Sequence, residues 1–406
     1  MSTRAGVGYS ENPDSMEAGK EAAGNALAKA GIDKCDLALL FSTSRQDPSL
    51  LRDGVRSMIG PSTRLIGGYG FGVITNDRLG YDGFQVGVAV LSSDSVQVDM
   101  FIQGGLTNNE FTAGVDLGKQ IRAGKYSGTP NILIMYDFVK GETRKGMLFN
   151  KNFSTPIIQG MQKSMGRWPP AAGIGLLGDW QTNPGYQWFD DRVEQQSAMA
   201  LVLSGGVIMD TVIMHGCKPS SDYYTITKAE GNVVLEMNGR PALLIIEELL
   251  GPKRFKEWLD FPFFVILGQN KGDKFAEFRE ENYANRLIAG VDQERKGLIM
   301  FEPDLAEGME VQLMRRSFSD FEYVRERSKE ALKRVKKRNP FFCLYIDCGG
   351  RASAYSGTEG EEAEEVQKVI GSEMPLLGVY SGTEIASVGG EMQACVFTGV
   401  LCIFSE

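Results

Sequence analysis

A chain of 406 residues, 42% hydrophobic and 23% charged, has room for a large core and two domains of an ordinary globular kind. A net charge of −9 argues against a general nucleic-acid binder, and no apolar run reaches the roughly 18 residues of a membrane span. Met1–Gly8 lacks the apolar core of a signal peptide, and the cysteines have no framework spacing. Cys343, Cys395 and Cys402 sit in apolar runs, so buried thiols in a cytoplasmic protein, without nucleic-acid or membrane partners, are expected.

In chain order, Ala5–Tyr9 reads as a short strand. A helix capped near Asp14 or Ser15 follows and stops at Gly31, and its Ala18, Ala22, Ala23, Ala26 and Ala30 suit close packing on a sheet. Asp36–Phe41 is a continuous apolar run, as a buried parallel strand requires. Asp47-Pro48 opens a helix with Leu51, Val55, Met58 and Ile59 on one face, and Arg64–Ile66 returns into the Gly-rich stretch Gly67–Ile74. This strand–helix–strand unit recurs twice. One copy runs from Asn131–Asp137 through a helix opened by Thr155-Pro156 to Ala172–Asp179. The other runs from Phe341–Asp347 through a helix at Glu361–Ile370 to a strand continuing into Gly378–Glu384.

Apolar pairs separated by turn residues lie between these units: Gln85–Leu91 with Ser95–Phe101, Ala198–Leu203 with Val207–His215, and Arg286–Val291 with Gly297–Phe301 and Val311–Arg315. They read as β-meanders. The expected fold is therefore α/β, with two related domains (1–215 and 216–406) of mixed β-sheets flanked by helices, built from repeated β-α-β units and β-meanders. Asn238–Pro241 opens a further helix, closed by Gly251-Pro252. Phe321, Val324, Ser328, Leu332 and Val335 mark a long helix whose many Lys and Arg residues read as a solvated face, with a surface for nucleic acid or an acidic partner as the alternative.

Little of the usual catalytic chemistry is present. The glycines Gly68, Gly70 and Gly72 lead into turn and strand rather than a helix N-terminus, so a dinucleotide reading is weak. The single histidine, His215, ends an apolar strand, which suits a packed side chain better than a catalytic base. No paired His or Cys spacing supports a metal site. The acidic run Glu361, Glu362, Glu364 and Glu365 reads as a solvated helix start. Arg45 and Arg351 each follow the first strand of a unit, at the edge where open α/β sheets bind ligands. There a guanidinium either holds an anion or ties down its own loop.

Asp36–Phe41, Ile66–Ile74, His215–Pro219, Asn238–Ala242 before Leu249–Gly251, Cys348–Arg351 and Pro375–Ile385 stand in an order that resembles the FIST sensory domain, with its N- and C-terminal parts. The resemblance implies an intracellular ligand-sensing module, for amino acids or other small anions, that signals through a separate partner such as a kinase or cyclase. It implies no enzyme activity and no obligate cofactor. It also admits a haem-based nitric-oxide sensor, with His215 as the alternative haem ligand; a hydrolase using Cys348 or a loop carboxylate is a third reading. Two loops depart from the family pattern, with Val73 after Gly72 and Thr383 between Gly382 and Glu384. The expected ligand-binding residues are Arg351 for an anionic group and Glu384 either for an amine or to orient Arg351. Cys348, Gly349, Gly350, Gly382, Gly68 and Gly70 are expected as backbone lining, Tyr69 or Tyr380 closing over the ligand, and Arg45 as a second cation.

Overall fold

The computed structural model describes residues 3–141, 150–180, 183, 185–250, 265–316 and 321–406. Three β-α-β units do form, and each is larger than its sequence signature. The first holds strands Arg4–Ser10, Leu37–Ser42, Arg64–Tyr69 and Val86–Ser92, with helices Ser15–Ala30 and Pro48–Ile59. The second holds Val96–Gly104, Asn131–Asp137, Ala171–Leu176 and Ser197–Gly205, with helices Glu110–Ala123 and Ser154–Met165. The third holds Ile208–Met214, Pro340–Cys348, Leu376–Ser381 and Gly399–Ser405. Its helices are Phe321–Val335 and Glu362–Val366, the latter continued by a π turn at Gln367–Gly371.

Within every unit the strands lie in the order first, fourth, second, third. The second and third are parallel and the other neighbours antiparallel. A hairpin from another unit completes each sheet to six strands. The hairpin at Gly72–Gly80 leaves the first unit and pairs with Leu377–Tyr380 of the third. Gln187–Glu194 leaves the second and pairs with Ile66–Gly68 of the first. Thr383–Cys395 leaves the third and pairs with Gly173–Gly175 of the second. The exchange is cyclic and crosses the 215/216 position in both directions.

The apolar pairs expected as meanders at 85–101 and 198–215 are not hairpins. Val86–Ser92 and Val96–Gly104 belong to different sheets, as do Ser197–Gly205 and Ile208–Met214. Each short turn is a step from one unit to the next. The pair Tyr283–Asp292 with Gly297–Met300 does form; it belongs to an eight-stranded sheet that is inserted into the third unit and runs from Cys217 to Arg316.

The inner faces of the three unit sheets share one core, in which Leu39, Phe41, Ile66, Met135, Ile174, Leu201, Leu344, Leu377 and Phe404 are buried. Helices cover the outer faces. In the first unit they approach closely because Gly19 and Gly54 face each other's backbone; a Cβ on Gly54 would lie 2.2 Å from the Met16 carbonyl oxygen. The second unit repeats the device, a Cβ on Gly160 lying 2.2 Å from the Phe111 carbonyl oxygen. On the basic helix, Arg325, Arg327 and Lys329 bond to Glu365, Glu330 and Glu326, and Arg338 just beyond its end bonds to Asp210. The expected closure of the helix Ala242–Leu250 at Gly251-Pro252 lies outside the described residues. Among the described residues no helix is long and apolar enough to cross a membrane.

Candidate functional site

The carboxyl ends of the second and third strands of all three units meet at one end of the shared core. The Gly-rich loop of the first unit turns there because its glycines leave room for other sheets. A Cβ on Gly70 would overlap Val379 at 2.2 Å, and one on Gly68 would overlap Leu176 at 2.6 Å. The loop then joins the third unit: Phe71 N–H donates to the Tyr380 carbonyl at 2.9 Å, and Gly72 pairs with Tyr380. Gly349 lies against the Ser381 carbonyl, Phe71 and Trp180, and Gly350 against Phe397. The structure thus brings together the loops at Gly67–Ile74, Cys348–Arg351 and Gly378–Glu384.

Their side chains are disposed in ways the sequence did not reveal. Arg351 is sealed from solvent. Its guanidinium reaches Asp347 at 2.7 Å and Glu362 at 2.5 Å, and donates to the carbonyls of Met214 and Phe397 at 2.8 and 3.2 Å. Glu362 also binds Arg316. The acidic run is accordingly not a uniformly solvated helix start: Glu362 and Glu365 are buried and paired. Burial pushes the Asp347 carboxyl up to about 6 even with Arg351 beside it.

Glu384 is buried and bonds elsewhere, to Ser381 Oγ at 2.6 Å and Thr398 N–H at 3.4 Å, and burial pushes its carboxyl well above the usual range. Cys348 is buried, its thiol pushed up for the same reason. Gly382 packs on Phe138. Tyr69 packs between Tyr186 and Trp188 and donates to the Gln46 carbonyl, away from Tyr380. Arg45 is exposed over the Phe84 ring.

What surfaces between these loops is a group of aromatic rings. Phe71 and Tyr81 come from the exchanged hairpin of the first unit, Trp180 from the second unit and Tyr355 from the third. Phe71 lies 5.0 Å from Trp180 and 5.1 Å from Tyr355, and Trp180 lies 5.2 Å from Tyr355. Tyr81, Trp180 and Tyr355 are only half-buried. Glu361 organises the group from below, accepting from Tyr81 at 2.8 Å, Tyr380 at 2.9 Å, and the N–H and hydroxyl of Ser353 at 2.9 and 2.6 Å. Beside the rings, Ser44 donates to Asp179 at 2.9 Å, which sets the Arg45 loop next to Asp179-Trp180. These aromatics sit in three separate loops; their one signal is that Tyr81 and Trp180 closely follow Gly80 and Gly178 at strand ends.

Residues 36–240 match the FIST N domain and residues 242–387 match the FIST C domain. The chain belongs to the FIST family. FIST domains are sensory domains of signal transduction proteins rather than enzymes. An uncharacterized protein of Mycobacterium tuberculosis is 24% identical over 410 residues, covering 99% of this FIST chain and 100% of the relative. One of Mycobacterium bovis is 22% identical over 408 residues, covering 99% of each. A third, from Methanocaldococcus jannaschii, is 24% identical over 212 residues, covering 49% of this chain and 39% of the relative. Among solved structures, cyanuric acid hydrolase from A. caulinodans aligns with a TM-score of 0.27 and 10% identity, over 50% of this chain and 71% of that one.

His215 of this FIST chain is fully buried. Its Nδ1 accepts from Cys217 N–H at 3.0 Å, which places the proton on Nε2, 3.2 Å from the Glu280 carbonyl. Burial holds the ring below its ordinary pKa, hence neutral. With both nitrogens engaged, this arrangement offers no lone pair to haem iron. Among the described residues no cluster of three His, Cys, Asp or Glu side chains is placed to hold a metal.

Asp137, at the end of the second unit's central strand, accepts from the N–H groups of Gln196 at 2.9 Å and Val139 at 3.2 Å, yet burial pushes it up to about 6. A raised carboxyl favours the folded state below its unfolded value near 3.8, and that advantage fades as pH rises through about 6. Wild type is therefore expected to lose stability relative to Asp137→Asn between about pH 4 and pH 6, with no further change above pH 7. Paired melting curves across that range check it; a gap that does not vary with pH contradicts the assignment.

Proposed function

We propose that this chain is the ligand-sensing element of a signalling system, taking an amino acid at the aromatic cluster and acting through a separate protein partner such as a kinase or cyclase. The observation that carries this reading is the meeting of half-buried rings from all three units beside Arg45 and Asp179. Trp180 and Tyr355 offer apolar faces to a ligand side chain. Asp179 supplies an acceptor for its amine, and Arg45 a guanidinium for its carboxylate. A ligand there touches loops of every unit, so its binding tightens their mutual packing, which is what a sensor needs. Arg351 serves this site from behind, fixing the Gly349–Arg351 turn through Asp347 and Glu362.

Calorimetric titration with a panel of amino acids tests the reading, with Trp180 fluorescence as a second readout. At least one member is expected to bind saturably. Tyr355→Ala and Arg45→Ala are each expected to weaken it about tenfold, the equivalent of ~1.4 kcal/mol. Absence of binding across the panel, or binding that both variants leave intact, overturns it.

A further inference from the structure

We infer that two copies of this chain associate through the strand Val96–Gly104, the free edge of the second unit's sheet, pairing antiparallel about Met100. Each unit sheet has one such edge at its first strand. Arg4–Ser10 and Ile208–Met214 are buried over most of their length, whereas Val96–Gly104 is half-exposed or exposed at every residue except Met100. It is also long and regular. Its nine residues span about 30 Å, and they pair with Ser197–Gly205 throughout, without a register shift. Sheet edges are ordinarily blunted by lysine, proline or a bulge; the stretch from Val96 to Gly104 has none of these.

The alternation of the ladder says which backbone groups are free. Gly206 N–H donates to the Ser95 carbonyl at 3.1 Å. Gln97, Asp99, Phe101 and Gln103 therefore turn their backbone groups toward Ser197–Gly205, and Val96, Val98, Met100 and Ile102 turn theirs outward. Of the outward groups, Val96 N–H is taken by Ser93 Oγ and the Ile102 carbonyl by the Gln120 amide, both at 3.2 Å. Among the described residues, the N–H and C=O of Val98 and Met100 and the N–H of Ile102 have no hydrogen-bond partner. The order of residues is self-complementary. With Met100 opposite its own copy, Val98 faces Ile102 of the second copy, and a carbonyl has two lone pairs, so that of Ile102 keeps Gln120 as well. Val98 and Ile102 are only partly buried against the shared core, and the pairing covers each with a β-branched neighbour. On the other face Gln97 meets Gln103 and Asp99 meets Phe101. No like charges stand directly opposite, and the two Asp99 approach only on a diagonal, at about 7–8 Å. This match singles out a second copy over a foreign strand. The second unit, which supplies Trp180 to the aromatic cluster, becomes the joint of the dimer.

Sedimentation equilibrium of the full chain over a range of concentrations tests this, and a reversible monomer–dimer equilibrium is expected. Val98→Pro removes only an outward N–H and leaves the ladder to Ser197–Gly205 intact. It is expected to weaken dimerisation about tenfold or more, with an unchanged circular dichroism spectrum. Cross-linking tests the register. Gln97 and Gln103 of opposite copies form a non-hydrogen-bonded pair, with Cα atoms about 4.5 Å apart, within reach of a disulfide. An oxidised mixture of Gln97→Cys and Gln103→Cys chains is therefore expected to yield linked dimers, and either variant alone to yield none. A monomer at every concentration, or a folded Val98→Pro chain that dimerises as wild type does, overturns the proposal. Should Val98→Pro fail to fold, the cysteine mixture decides alone: no linked product, or as much from one variant by itself, overturns it too.

Discussion

Arg351→Ala is expected to cost about 3–5 kcal/mol of folding stability, the usual penalty for removing one partner of a buried ion pair. The guanidinium stands between Asp347 and Glu362 and has no contact with solvent. Truncation leaves Asp347 without its paired guanidinium and Glu362 with Arg316, and takes the Arg351 donor from the carbonyls of Met214 and Phe397. Arg351→Lys restores little, because a single ammonium cannot reproduce the fork that spans two carboxylates and two carbonyls. Glu362→Gln in the Arg351→Ala background is expected to cost less than the two changes summed, since both act on one network. Urea denaturation of the four proteins measures this directly; a penalty below about 1 kcal/mol for Arg351→Ala would show that the network contributes no more than a surface pair.

Lys151→Met is expected to be of similar size, about 3–5 kcal/mol at neutral pH. Lys151 is buried beside Glu302, its ammonium 4.2 Å from the centre of the Phe301 ring and 5.0 Å from that of Phe153. Glu302 in turn caps the helix Ser154–Met165 from a distant part of the chain, accepting from Ser154 Oγ at 3.0 Å and Thr155 N–H at 2.9 Å. That cap is needed because Phe153, at the N-cap, has no side-chain oxygen to offer. In wild type, burial acts to raise the Glu302 carboxyl, but Lys151 together with the hydrogen bonds from Thr155 outweighs it and holds it below its ordinary value, so this stability is lost as pH falls. Without Lys151 the buried carboxyl rises instead, and it destabilises most where it is ionised. The gap between variant and wild type should therefore be widest near pH 7 and narrow towards pH 4. A gap independent of pH would mean that volume, not charge, sets the cost.

The three β-α-β units were legible because buried parallel strands are continuous apolar runs and their helices carry standard caps. Asp14 and Asp47 accept from helix N–H groups as expected, and Gly31 ends its helix in the left-handed region. Strand partners were not legible. Val86–Ser92 and Val96–Gly104 look like the arms of a hairpin because a polar turn separates them, but sheet membership is set by hydrogen bonds to residues far away in sequence. The stretches Gly67–Ile74 and Gly378–Glu384 each read as one segment, yet Gly70 and Gly382 mark points where the chain passes from one sheet to another. For the candidate site, glycine placement indicated loops that do meet in the fold, but not how their charged side chains are disposed. Arg351 looked like an edge residue, but Asp347 four positions earlier and Glu362 eleven later enclose it. The aromatic cluster is contributed by three loops with no common spacing, so only the closed architecture displays it.

The cyclic hairpin exchange sets a timetable for making the protein. The strand at Gly72–Thr75 finds its partner only when Leu377–Tyr380 has been synthesised, about 300 residues later. At cellular elongation rates of roughly 5–20 residues per second, that wait is on the order of 15–60 s. Throughout it, an apolar strand edge stands open on an otherwise complete first unit, the kind of surface on which nascent chains pair with one another. Yield in the cell should thus depend on how quickly translation reaches the last unit, and on what shields that edge meanwhile, more than on the stability of the finished fold.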